Sequence, residues 1–331
     1  MTAELSGHEH SLPDYRDLPV VPGAPRGSSW GLWGAEDRLG CLNLLTPERV
    51  AAATSNVREG RVFNLNLELE LPDPPLFSRS AFEHVVLGSG IGHDDELVGW
   101  NTQRSSQWDG FRHIKHPAWG FYNDIADEEH GMQHWARRGI VGRAVLLDVA
   151  RWRSTEGRPI VPSAADEITI DDLRSTMRAQ GSVVETGDIL LVRTGWLSWY
   201  RSLDVAGREE VEREAMSGTC GLQRGAETAE GLWNLHIAAI AADNPSLEVM
   251  PFGSWERGLM KSWREDPEAA ANTMLHFSLL GLLGIPIGEL FDLDELAEHC
   301  ADDGRYSCLL TSAPLNLHAG VATPPNALAL K

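Results

Sequence analysis

Hydrophobic and polar residues alternate in one stretch of the chain, and in several others the hydrophobic residues form unbroken runs. The alternation in VFNLNLELEL, residues 62–71, predicts a half-buried strand, because successive strand side chains point to opposite faces. Unbroken apolar runs predict strands that are covered on both faces. Such runs, with their flanking residues, cover 144–152, 187–196, 237–243, 284–290 and 306–315.

Helix signals lie between these strands. Thr46 followed by Pro47 and Glu48 predicts a helix start, since the cap, the first position and the first turn carry favoured residues. Further helices are predicted over 169–180, closed by Gly181, and over 225–236, 269–283 and 292–301. The charged insert 202–218 predicts a solvated helix or loop. Because strands and helices intermix, the predicted fold class is α/β.

Domain organisation follows from where the regular patterns begin. Residues 1–29 are rich in Pro and Gly and predict an irregular N-terminal arm. Residues 30–331 show no repeat and no linker, so we expect a single domain.

Charge and composition exclude several classes of partner. The formal net charge of −20 makes nucleic acid an unsuitable ligand, because binding a polyanion requires clustered Lys and Arg. No apolar run approaches the ~20 residues that span a membrane, and the N-terminus lacks the pattern of a secretory signal. We therefore expect a cytoplasmic protein without a membrane partner. The four cysteines are scattered without a Cys-x-x-Cys pair and are expected to be buried thiols.

The segment TQRSSQWDGFRHI, residues 102–114, contains two amides, a carboxylate and an imidazole. If the segment is extended, Gln103, Gln107 and Asp109 project from one face. A helix would keep the two amides adjacent but would turn Asp109 away from them. Convergence of the three side chains is therefore predicted only for a strand. Taken alone, Asp109 and His113 would more often be structural than functional.

This segment resembles the signature His-x-Gly-Thr-His-x-Asp-x-Pro-x-His of the cyclase-like metal-dependent hydrolases, the family of bacterial kynurenine formamidase and isatin hydrolase. Asp109 and His113 match the signature Asp and the last His, whereas Gln103 and Gln107 stand at the first two His positions. Further blocks similar to the family follow in the family's order. They lie at 33–50, 187–196, 243–246 and 276–290.

The resemblance implies the family's swivelling β/β/α fold, with a mixed β core surrounded by helices. It also implies a metal site at Asp109, His276 and Glu289, and a role for Asp109 and His113 in catalysis, with His113 as acid and base. Two carboxylates and an imidazole are a competent donor set for Mn²⁺, Zn²⁺ or Mg²⁺. Since both imidazoles of the first metal position are replaced, we expect one divalent ion and no organic cofactor.

Other side chains near the signature are candidates for contacting a substrate. Amide oxygens are weak zinc ligands, so we favour a role for Gln103 and Gln107 in binding substrate or in supporting the metal ligands. Trp108 and Phe111 would suit a cyclic or aromatic small molecule, although core packing is an equally good interpretation. For Arg193, a buried ion pair is expected rather than a substrate contact.

The function implied is hydrolysis of an amide, cyclic amide or lactone with metal-activated water. A lyase or isomerase at the same site is one rival, and a non-catalytic ligand-binding protein is another. The resemblance further suggests a homodimer or homotetramer.

Overall fold

The structure is a computed structural model, which describes residues 12–252 and 267–331. Its core is a nine-stranded mixed sheet, and two small two-stranded sheets lie outside it. The strands of the described residues are β1 (Val62–Asn64), β2 (Glu83–Ser89), β3 (Gly92–Val98), β4 (Gln107–Asp109), β5 (Ile140–Asp148), β6 (Glu167–Ile168), β7 (Ile189–Arg193), β8 (Gly221–Leu222), β9 (Ala239–Ala242), β10 (Ile287–Glu289), β11 (Ser307–Ser312), β12 (Ala322–Thr323) and β13 (Ala327–Leu330).

Helices and short helical turns occupy most of the connections between these strands. The α-helices of the described residues are α1 (Pro47–Ala53), α2 (Met132–Arg138), α3 (Val149–Thr155), α4 (Ile170–Gln180), α5 (Trp196–Ser202), α6 (Val205–Glu214), α7 (Ala226–Asn234), α8 (Pro267–Thr273) and α9 (Asp294–Asp303). A π-helix, Phe277–Leu283, lies between α8 and β10.

The large sheet has the order β1-β13-β11-β5-β7-β9-β10-β4-β12. Its centre, β5-β7-β9-β10, is parallel, and the strands on both sides of that centre are antiparallel. Residues 189–192 of β7 and 239–242 of β9 are fully buried, as expected for apolar strands covered on both faces. The predicted α/β class, with a mixed β core surrounded by helices, is confirmed.

Two predicted strands have different bounds in the structure. The predicted strand 62–71 forms a regular ladder with β13 only as far as Asn64. Beyond it Leu65 N still donates to Ala327 O, and the Asn66 side chain bonds both the N–H and the C=O of Ala327. The predicted strand 144–152 ends at Asp148, whose carboxylate accepts from Arg151 N at 3.1 Å and caps α3. In both places a side chain bonds the backbone just beyond the last residue of the strand.

The predicted helices begin and end close to the expected residues, with one exception. Thr46 caps α1, and α4 has a full capping box at Thr169 and a left-handed Gly181 at its end. The predicted helix 269–283 is divided at Met274 into α8 and the π-helix. The charged insert forms α6, which buries none of its residues.

The N-terminal arm is described only in part. Residues 1–11 of the predicted arm lie outside the described residues, and residues 12–29 contain only a 3₁₀ turn at Tyr15–Asp17, so the division into arm and domain stays a prediction.

All four cysteines are free and buried. Arg193 forms the expected ion pairs, at 3.0 Å with Asp148 and 2.8 Å with Asp294. Within the described residues, no helix combines the length and apolarity needed to cross a membrane.

Candidate active site

The centre of the candidate site forms where β10 pairs antiparallel with β4. Glu289 lies directly opposite Gln107, so both side chains share one face of the sheet. Gln107 Nε2 donates to Glu289 Oε2 at 2.6 Å. Asp109 lies two residues further along β4, on that same face, and its Oδ1 is 3.3 Å from Gln107 Nε2. All three side chains are buried.

Gln103 reaches this cluster from a turn rather than from the strand. The prediction that residues 103–106 are extended is wrong, because Ser105 Oγ donates to Glu68 O at 2.8 Å and fixes a bend before β4. The Gln103 side chain nevertheless folds towards the strand, and its Nε2 donates to Asp109 Oδ1 at 2.8 Å. Both amides therefore donate to carboxylates, and the expected convergence with Asp109 is present.

His276, the residue before the π-helix, faces the cluster from the other side. Its Nδ1 is 2.8 Å from Glu248 Oε2, and because a carboxylate only accepts, this nitrogen carries the hydrogen. The other nitrogen, Nε2, lies 3.8 Å from Asp109 Oδ2 and 3.3 Å from Glu289 Oε1. Metal-binding histidines are commonly fixed by a carboxylate in this way.

The cluster is open to solvent on the side of His113. This side chain is 23% exposed, and its Nε2 is 4.0 Å from Asp109 Oδ1, so it lies beside the carboxylate without a direct hydrogen bond to it. Gln103 Nε2 lies 3.2 Å from His113 Nδ1. Gln103 and Arg79 are also partly exposed, so these three residues lie between the buried carboxylates and solvent.

Burial and charge act in opposite directions on the ionisable groups of the site. Burial favours the neutral form of Asp109, but His113, His276 and Arg79 outweigh it and lower the pKa of Asp109 to about 2. Burial and the nearby Asp109 raise the pKa of Glu289 to about 7. Burial also opposes a charge on His276, yet the surrounding carboxylates raise its pKa well above the ordinary value. For His113, burial dominates and lowers the pKa.

A divalent cation fits this donor set. Three buried carboxylates, on Asp109, Glu248 and Glu289, lie around a single imidazole, and a cation bound among them would offset their negative charge. Ligands about 2.1 Å from a tetrahedral ion lie roughly 3.4 Å apart. The separations of 3.3 and 3.8 Å from His276 Nε2 to Glu289 and Asp109 are close to that value. The set at this site whose ligand atoms all lie within 4.8 Å of one another is Asp109, His113 and His276, with His113 in place of Glu289.

Trp108 and Phe111 do not join the site. Trp108 lies between Gln107 and Asp109 on β4, so its side chain points to the opposite face of the sheet. Its indole N–H donates to Ser312 Oγ at 3.0 Å, and the ring is fully buried. Phe111 packs on Tyr122, 4.7 Å between ring centroids, and is also buried. The burial of both rings favours the core interpretation over a substrate contact for Trp108 and for Phe111.

Two residues of the site were not identified from the sequence. Glu248 lies two residues after the block at 243–246 that is similar to the family, and this nearness was the one available signal. Its Oε1 accepts from Leu275 N at 2.8 Å, so it fixes the backbone near His276 as well as the ring. Arg79 lies outside every block of similarity, and its Nη1 donates to the Gln103 carbonyl and to Gln107 Oε1.

Replacing Glu248 with glutamine should weaken metal binding by about 10- to 100-fold, because that is the usual effect of losing the carboxylate behind a ligating histidine. Competition with a metal-sensitive dye would measure the affinity. Asp188→Asn is the matched control, since Asp188 is a buried carboxylate that pairs with Arg143 at 3.1 Å instead. An affinity unchanged in Glu248→Gln, or lowered equally in both variants, would contradict this role.

Comparison with known proteins agrees with this fold. The Cyclase family profile matches residues 44–249. A crystal structure described as a novel cyclase superposes with a TM-score of 0.77 at 29% identity, covering 92% of this chain and 99% of its own. No curated protein sequence matches the chain.

More distant structures share the fold alone. An isatin hydrolase bound to the product analogue thioisatinate has a TM-score of 0.56 and 15% identity, with coverage of 85% of this chain and 96% of that one. Isatin hydrolase A from Ralstonia solanacearum also gives 0.56, at 17% identity, with coverage of 86% and 98%.

Proposed function

Because the chain belongs to the cyclase family, we propose that it is a metal-dependent hydrolase of an amide, cyclic amide or lactone in small-molecule metabolism. The observation that carries this proposal is the buried set of Asp109, His276 and Glu289, with His113 on its open side. A non-catalytic binding protein would have no need to bury several carboxylates around one imidazole, because such a cluster is costly to maintain.

The metal would be held by Asp109, His276 and Glu289. A divalent ion there would lower the pKa of water and polarise the carbonyl of the substrate. Glu248 holds the His276 ring with Nε2 facing Asp109 and Glu289, where this nitrogen would bind the metal once it has lost its proton. Gln103 and Gln107 hold the carboxylates in place through their amide N–H groups, so they support the ligands without coordinating.

His113 is the acid–base group of the proposed reaction. The oxygen of water adds to the carbonyl carbon, and His113 takes the proton that the water loses. The C–N or C–O bond then breaks, and His113 returns that proton to the leaving nitrogen or oxygen. The products are a carboxylic acid and an amine or alcohol. A position partly exposed to solvent and 4.0 Å from Asp109 allows this transfer.

Metal analysis combined with a hydrolysis screen tests the proposal. Protein purified without chelator should contain a divalent metal and should hydrolyse at least one member of a panel of formamides, cyclic amides and lactones. Product formed in H₂¹⁸O should carry the label, because hydrolysis inserts a water oxygen, whereas a lyase or isomerase would give unlabelled product. Asp109→Asn is the inactive control. Protein that is metal-free and gains nothing from added Mn²⁺ or Zn²⁺ would refute the hydrolase proposal.

A further inference from the structure

Arg79 is held at the open side of the site by an unusual backbone. The two residues before it, Phe77 and Ser78, have φ angles of 58° and 56°. Residues other than glycine rarely adopt this left-handed backbone conformation, and two such residues in succession persist only where the surrounding structure enforces the conformation. The Phe77 ring also covers the guanidinium, with Cζ 5.2 Å from the ring centroid. The turn therefore fixes the position of this arginine.

One end of the guanidinium is already bonded, and the other is available. Nη1 donates to the Gln103 carbonyl and, at 3.3 Å, to Gln107 Oε1. Among residues 12–252 and 267–331, no carboxylate lies within 4.0 Å of Arg79, and no acceptor bonds its Nε or Nη2. These two nitrogens form the edge with which arginine binds a carboxylate through two parallel hydrogen bonds.

Within the described part of the chain, Arg79 lacks the acidic partner that arginines such as Arg104 and Arg112 have, each of which lies near an aspartate. Arg79 instead contacts the amides that support the metal ligands, beside the partly exposed His113 and Gln103. A fixed positive charge at this place is suited to a negatively charged ligand group.

We propose that Arg79 is the anion-binding residue of the site and that it receives a carboxylate of the substrate or of the hydrolysis product on its Nε–Nη2 edge. This inference rests on the proposed function, because a hydrolysed amide or lactone leaves a carboxylate in the site.

Benzoate and its neutral isostere benzamide provide the test, with binding measured by calorimetry on the protein as purified. Wild type should bind benzoate at millimolar concentration. Arg79→Gln should weaken benzoate binding by roughly tenfold or more, and Arg79→Lys should lie between, because lysine keeps the charge but not the two-bond geometry. Benzamide should bind all three proteins alike. Arg174→Gln, which removes an exposed arginine of α4, should behave as wild type.

The metal content and melting temperature of every sample separate this proposal from its alternatives. Arg79→Gln should keep the wild-type metal content and remain folded. The proposal is overturned if wild type does not bind benzoate, if Arg79→Gln binds it equally well, or if benzoate affinity falls only together with metal content. Because benzoate binding needs no turnover, a failure of the hydrolase proposal is recognised separately, from the metal analysis and the screen.

Discussion

Replacing His113 with alanine should lower turnover by about 10²- to 10⁴-fold and leave the bound metal unchanged, because a positioned acid–base group contributes that much to a rate. His113 lies on the open side of the site, with Nε2 4.0 Å from Asp109 Oδ1. That distance allows proton transfer through a water molecule, and the proposed ligands Asp109, His276 and Glu289 would hold the ion without His113. Turnover and metal content should be measured on the same samples, with the substrate that the screen identifies.

Two further histidine variants make this result interpretable. His276→Ala should lose both metal and activity, since it removes a proposed ligand. His84→Ala should lose neither, because His84 lies on the exposed strand β2 and pairs with Asp95. Equal loss of metal and activity in His113→Ala would instead make His113 a ligand, in the set that it forms with Asp109 and His276.

The parts of the fold that the sequence predicted are those fixed by local patterns. A strand covered on both faces must be apolar throughout, so β7 and β9 could be recognised from their composition alone. Helix α4 could be placed because its cap at Thr169 and its end at Gly181 are local signals. Asp109 and Glu289 were identified through resemblance to a family. In the structure the two side chains lie in the same cluster because β4 and β10 are paired.

The parts that the sequence did not predict depend on contacts between distant segments. The hairpin β2–β3 was missed because both strands are mostly exposed and do not show a buried face. Glu248 reaches His276 across 28 positions of the chain, and its nearness to the block at 243–246 does not indicate which residue it contacts. Arg79 becomes part of the site through the turn at Phe77 and Ser78, whose left-handed conformation is atypical of both residue types.

The number of metal ions should be one per chain in the wild type and two in Gln103→His/Gln107→His. In the wild type the amide N–H groups of both glutamines point at Asp109 and Glu289, and an N–H donor cannot ligate a cation. The amides also bring no negative charge, and the Arg79 guanidinium next to Gln107 opposes a second dication. Two imidazoles beside Asp109 would supply the missing donors, as in the family signature that the segment resembles.

Elemental analysis and anomalous scattering would count the ions. Gln180→His/Gln223→His is the matched control, because it adds two histidines outside the site and should leave the count at one. Two fully occupied ions in the wild type, or a glutamine oxygen at ~2.1 Å from an ion, would contradict the prediction. If the double variant stays at one ion, the amides are not the cause, and the charge of Arg79 becomes the remaining obstacle. In that case the double variant that also carries Arg79→Gln should bind the second ion.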